Sequence, residues 1–235
     1  MAWPAGVVTV EESDPRAAAQ WLADRVAGQL RASLASAARA SLAVSGGSTP
    51  TPFFEALRTR ELPWHRVDIT LADERWVPET DADSNAGLIR ASLMQDRAAA
   101  ANFVPLWYEA PSIVAGQALS EAALSTMQWP LDVVVLGMGN DGHTASLFPD
   151  APELPLALAT DAVGRTVILR PPSQARERLS LNYRTLRAAR YTALHLKGED
   201  KLVTLARALS DPADIQAMPI RGFLRSGLDV VWSPG

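Results

Sequence analysis

The 235-residue chain contains no cysteine. That absence excludes disulfides, thiolate metal sites and thiol nucleophiles together. Histidine is almost as scarce, with only His65, His143 and His195. Their separations do not match zinc-ligand spacings, so no histidine-rich metal centre is expected. No apolar run is long enough to span a bilayer, because the alanine-rich stretch from Ala32 to Val44 is broken by Arg39 and several serines. The first ten residues lack the basic region and sustained apolar stretch of a secretory signal. The expected compartment is therefore the cytoplasm, with no membrane partner. Net charge is only −4, which leaves no broad basic surface for nucleic acid, although a local basic pocket remains compatible with it.

What is present suits one large core. Hydrophobic residues make up 48% of the chain and charged residues 20%, an ordinary globular balance. No internal repeat and no linker divides it, so a single domain over residues 1–235 is expected. Val7–Val10 reads as a strand. Asp14-Pro15 then supplies a cap and a first-turn proline, and Leu22, Val26, Leu30 and Leu34 form one apolar helical face. Strands are expected at Ser41–Val44, Val67–Leu71, Phe103–Leu106, Leu131–Leu136, Thr166–Leu169, Tyr191–Leu196 and Leu228–Trp232. Helices are expected after Pro50, after Asp83 or Ser84, over Ala115–Met127 and over Asp200–Leu209. The proline-bearing stretch 149–165 reads as a long loop. Strands alternating with helices imply an α/β fold with a mainly parallel sheet.

Three segments that follow strands carry chemistry, and ligands of open parallel sheets bind at the carboxyl ends of strands. Ser45-Gly46-Gly47-Ser48-Thr49-Pro50 offers hydroxyls and close backbone approach to a phosphate; the alternative is a tight turn with a capping threonine. Asp73-Glu74-Arg75-Trp76-Val77-Pro78 places Arg75 to hold an oxyanion or carboxylate; the alternative is a solvated charge cluster. Gly137-Met138-Gly139-Asn140-Asp141-Gly142-His143-Thr144 contains a literal dinucleotide fingerprint. Its context contradicts that use, since Pro149 interrupts any crossover helix and no strand leads into Asp161. The loop instead presents Asp141 and His143, and histidine is the commonest general base. His65 and His195 lack such surroundings and are read as structural.

Taken in order, these segments resemble the 6-phosphogluconolactonase family over almost the whole chain. The resemblance also draws on Ser84-Asn85, Arg178-Leu179-Ser180-Leu181 and Lys197-Gly198-Glu199-Asp200-Lys201. The run from Gly137 to Pro149 is its most diagnostic part. It implies a modified Rossmann-like three-layer α/β/α fold, as in sugar-phosphate isomerases and deaminases. It also implies hydrolysis of 6-phospho-D-glucono-1,5-lactone to 6-phospho-D-gluconate, the second step of the oxidative pentose phosphate pathway, with no cofactor and no metal. The implied catalytic set is His143 as general base, Asp141 as its orienting partner and Arg75 at the oxyanion. The implied substrate and phosphate ligands are Ser45, Gly46, Gly47, Ser48, Thr49, Asp73, Asn85, Gly139, Arg178 and Lys201. A glucosamine-6-phosphate deaminase or sugar-phosphate isomerase is the alternative, as is an idle sugar-phosphate sensor. The deaminases carry glutamate where this chain has Phe148 and usually tyrosine where it has Arg75, which favours the lactonase. The sequence leaves monomer and homodimer equally open.

Overall fold

The computed structural model describes residues 3–235. Ten strands are formed: β1 Val8–Glu11, β2 Ala40–Val44, β3 Val67–Leu71, β4 Asp73–Arg75, β5 Asn102–Val104, β6 Val133–Leu136, β7 Thr166–Leu169, β8 Arg178–Leu181, β9 Tyr191–Lys197 and β10 Leu228–Ser233. Seven make one sheet, in the order β1-β10-β9-β6-β2-β3-β5, and every neighbouring pair in it is parallel. β2, β3 and β6 are buried along their whole length, as strands covered on both faces must be.

The helices are α1 Pro15–Ser36, α2 Thr51–Leu57, α3 Asn85–Ser92, α4 Ile113–Leu124, α5 Leu154–Ala157, α6 Tyr183–Arg187 and α7 Glu199–Ser210. α1 begins as its sequence directs: the Asp14 side chain accepts from Arg16 N at 3.0 Å and Pro15 opens the first turn. Its stripe of Leu22, Val26, Leu30 and Leu34 is buried. α1 packs on α2 and against β2, β6 and β10. Phe53 and Phe54 of α2 are wholly buried, each contributing roughly 1.5–3 kcal/mol of transfer free energy. Ser84, rather than Asp83, caps α3 by accepting from Gly87 N at 3.1 Å.

Two expectations are corrected. Thr166–Leu169 does not join the parallel sheet; β7 pairs with β8, and β8 with β4, in a separate antiparallel sheet of order β4-β8-β7. The stretch 149–165 is not wholly loop, because Leu154–Ala157 forms one short helical turn.

The strand order explains where a ligand can sit. From β2 the chain steps outward through β3 to β5, then returns to lay β6 on the other side of β2 and steps outward through β9 and β10. Loops after β2 and β6 therefore diverge, and the crevice between them is the switch point at which open α/β sheets bind ligands. Among the described residues no helix is long and apolar enough to cross a membrane.

Candidate active site

A cleft of about 380 Å³ opens at the carboxyl ends of β2, β6 and β9, within the size range of small-molecule sites. Ser45, Gly46, Gly47, Ser48, Thr49, Asp73, Arg75, Asn85, Gly139, His143, Arg178 and Lys201 all line it. Of the residues singled out from the sequence, only Asp141 is not in the lining. It stands behind His143, with its Oδ1 2.6 Å from His143 Nδ1 and 3.0 Å from His143 N.

The loop after β6 holds this pair by its own backbone. Gly139 N donates to His143 O at 2.9 Å, Gly142 N to Gly139 O at 3.0 Å, and Thr144 Oγ1 to Gly137 O at 2.8 Å. Gly142 has φ +85°, a conformation that favours glycine. Gly139 is required for space: a Cβ there would lie 2.1 Å from both His143 Cε1 and Nδ1. No crossover helix follows, as the dinucleotide alternative would need. The imidazole instead stacks on Phe148, with centroids 4.0 Å apart at 26°. Burial works against the Asp141 carboxylate, but the hydrogen bond from His143 and its charge hold the pKa below the ordinary value.

The loop after β2 meets the cleft with Gly47 at φ +94°. Thr49 does not cap α2; Pro50 occupies that position, with no side-chain cap bond. The Ser45 hydroxyl is buried with no partner among the described residues. Gly46 abuts Asn85 so closely that a Cβ would come within 1.9 Å of Asn85 Oδ1.

The charged segment after β3 is not a solvated cluster. Asp73 and Glu74 are buried. Asp73 Oδ2 accepts from Ser146 Oγ at 2.5 Å instead of pairing with Arg75. Arg75 faces the cleft, with Nη1 donating to the Asp83 carbonyl. In the antiparallel register Arg75 stands directly opposite Arg178, so two guanidiniums share one face. Like charges in that relation destabilise a sheet. Burial lowers the Arg178 pKa and Arg75 lowers it further, against the opposing effect of Asp73. Arg178 also donates from Nη2 to Gln174 Oε1 at 2.6 Å and lies over the Phe148 ring. The Nε atoms of Arg75 and Arg178 are buried without partners among the described residues. Lys201, on the first turn of α7, donates to Asn140 Oδ1.

Several contacts had no readable signal in the sequence. Phe148 stands out there only in place of a deaminase glutamate. Its stacking on His143, the Gln174–Arg178 bond and the long-range Asn140–Lys201 bond emerge only in the fold. His195 was read as structural. It sits within β9 with 5% exposure, yet it lines the cleft beside Lys197. Burial depresses its pKa to about 4. Among the described residues no group of three or more His, Cys, Asp or Glu is placed to hold a metal ion.

Comparison with known proteins agrees with this architecture. The family model "Glucosamine-6-phosphate isomerases/6-phosphogluconolactonase" matches residues 13–232. A 6-phosphogluconolactonase from Pseudomonas aeruginosa is 45% identical over 98% of this chain and 97% of its own length. One from Mesorhizobium japonicum is 45% identical over 91% of this chain and 90% of its own. The crystal structure of a 6-phosphogluconolactonase from Shewanella baltica superposes with a TM-score of 0.93 at 40% identity, covering 99% of this chain and 100% of that one. A monomeric glucosamine-6-phosphate deaminase shares the fold, with a TM-score of 0.79 at 16% identity over 96% and 97% of the two chains. With its parallel sheet, its cationic cleft and a family match over nearly its full length, this chain belongs to the glucosamine-6-phosphate isomerase/6-phosphogluconolactonase family.

Proposed function

We propose that this chain is a single-domain 6-phosphogluconolactonase that hydrolyses 6-phospho-D-glucono-1,5-lactone to 6-phospho-D-gluconate. The observation that carries the proposal is the Asp141–His143 pair at the mouth of a cleft rich in arginine and lysine. An ionised carboxylate 2.6 Å from Nδ1 keeps the proton on that nitrogen. Nε2 is then left with a lone pair for a water proton.

In this mechanism His143 takes a proton from water as the oxygen attacks the lactone carbonyl. The imidazolium then returns that proton to the departing ring oxygen. Asp141 fixes the tautomer and stabilises the transient charge. Arg75 stabilises the oxyanion, an effect of roughly 3–4 kcal/mol per donor in acyl-transfer sites. Ser45, Gly46, Gly47, Ser48 and Thr49 hold the phosphate together with Arg178 and Lys201, while Asp73, Asn85 and Gly139 shape the sugar pocket. A dianion also offsets the repulsion between Arg75 and Arg178. The apolar stack of Phe148 on His143 occupies the place where a deaminase carboxylate would stand, which argues for ester rather than amine chemistry.

The test follows loss of freshly generated lactone above its spontaneous hydrolysis, with glucosamine-6-phosphate and ammonia detection run in parallel. His143→Asn should reduce turnover by on the order of 10²–10⁴-fold and leave 6-phosphogluconate binding nearly intact. Near-normal turnover would remove His143 as the base. Ammonia release by the wild type with lactone loss at background would replace the lactonase with a deaminase.

A further inference from the structure

One carboxylate behind the wall of the cleft, between Asp73 and Arg75, takes no part in the chemistry above. Glu74 is fully buried between β4 and α3. Its Oε1 accepts from Arg75 N and Asn85 N, both at 2.8 Å. Its Oε2 accepts from Ala86 N at 2.7 Å and from Ser84 Oγ at 3.2 Å. Asn85 in turn donates through Nδ2 to Asp73 O at 2.8 Å and packs against Gly46. A single side chain thus ties together the strand that carries Arg75, the start of α3 and, through Asn85, the glycine loop after β2.

Ser84 caps only Gly87 N of α3. Glu74 takes the two amides before it, Asn85 N and Ala86 N, and beyond that capping holds Arg75 N on β4, which no helix cap requires. Nor is the placement favourable for the carboxylate itself. Burial pushes the Glu74 pKa up to about 7, against the backbone donors of Asn85, Ala86 and Arg75. A buried group that opposes its own ionisation, yet joins three cleft-forming segments, belongs to the geometry of the site.

We infer that Glu74 is a positioning residue, which sets Arg75 and Asn85 in the cleft wall and acts on the reaction through them without touching substrate. This inference deepens the lactonase reading and rests on it for the activity assay.

The test is a double-mutant cycle on kcat/KM with Glu74→Gln and Arg75→Ala, accompanied by melting temperatures and by titration with 6-phosphogluconate. Ser84→Ala serves as a control, since it removes the cap on Gly87 N and one hydrogen bond to Glu74 Oε2 but leaves Arg75 N and Asn85 N tied to Oε1. Glu74→Gln should lower kcat/KM by about ten- to a hundredfold, mostly in kcat, as a misplacement near 1 Å does. In the Arg75→Ala background the same change should cost only about twofold, since groups acting through one another are not additive. Equal losses in both backgrounds would overturn the inference. So would a Ser84→Ala variant that loses as much activity at the same fall in melting temperature. If Glu74→Gln does not fold, Glu74→Asp withdraws the carboxylate by one methylene and carries the same cycle. If the wild type fails to accelerate lactone loss, the lactonase reading fails separately. The cycle is then read from 6-phosphogluconate binding, where additive effects overturn the inference in the same way.

Discussion

Gly139→Ala adds one methyl group to the chain and should disable it. Gly139 does not have a positive φ, so alanine meets no backbone strain there. The whole effect must come from contact. The new Cβ would lie 2.1 Å from His143 Cε1 and Nδ1 and 2.6 Å from Asp141 Oδ1. To restore an ordinary contact near 3.4 Å the imidazole must withdraw by roughly 1.3 Å. Phe148 stacked at 4.0 Å blocks one direction of retreat, and any other breaks the 2.6 Å bond to Asp141. Misplacement on this scale costs on the order of 10²-fold in turnover, about 2.7 kcal/mol of transition-state stabilisation. The proposed phosphate ligands are untouched and Gly139 lines the cleft on its proposed sugar side, so affinity for 6-phosphogluconate should fall by less than about tenfold, about 1.4 kcal/mol, against the hundredfold loss in turnover. Lactone consumption measured at saturating substrate, with product titration beside it, separates the two. Wild-type kcat in Gly139→Ala would refute the packing argument. A large loss of product affinity with unchanged kcat would refute the assignment of Asp141 and His143 to chemistry rather than binding.

His195 gives a prediction about acid stability. Its folded pKa of about 4 lies below the ordinary 6.5, so the unfolded chain binds the proton more tightly. The contribution is complete above pH 6.5 and is lost as pH falls toward 4, amounting to about 3 kcal/mol across that window. Urea unfolding of His195→Asn should show a correspondingly flatter acid limb, and an unchanged pH slope would show that burial of the ring is not its cause. At the proposed phosphate site, Arg178→Met should raise KM for the phosphorylated lactone by at least about tenfold, since a charge-assisted pair is worth about 1.5–3 kcal/mol. An effect confined to kcat would move Arg178 from binding to chemistry.

The fold class was legible because its signals are local. An apolar stripe repeating every four residues and near-continuous apolar strands such as Val133–Leu136 need no partner to be recognised. The loop carrying Asp141 and His143 was equally legible, since the two residues meet within a single turn that its glycines permit. Asp73–Arg75 and Arg178–Leu181 were not read as strands. Each is short and carries charge; β4 finds its strand partner only in β8, about a hundred residues away in sequence, and β8 is fixed between β4 and β7. Buried position was hidden for the same reason. Glu74 reads as surface charge until α3 folds over it and supplies donors that make its burial tolerable. The same distance hid His195, whose strand pattern says buried but cannot say that the end of β9 opens on a cleft.

The sequence by itself determined which loops bear glycine, hydroxyl, carboxylate, imidazole and guanidinium groups, because composition and spacing are properties of the chain. It also determined the alternation of strand and helix, because periodicity is local. Only the tertiary structure decided that β2 and β6 lie side by side, so that the glycine loop and the histidine loop face one crevice. It alone set Arg75 against Arg178 and closed Glu74 behind the wall. Strand order and cross-strand register depend on packing and hydrogen bonds between segments far apart in sequence, and no local pattern of residues encodes them.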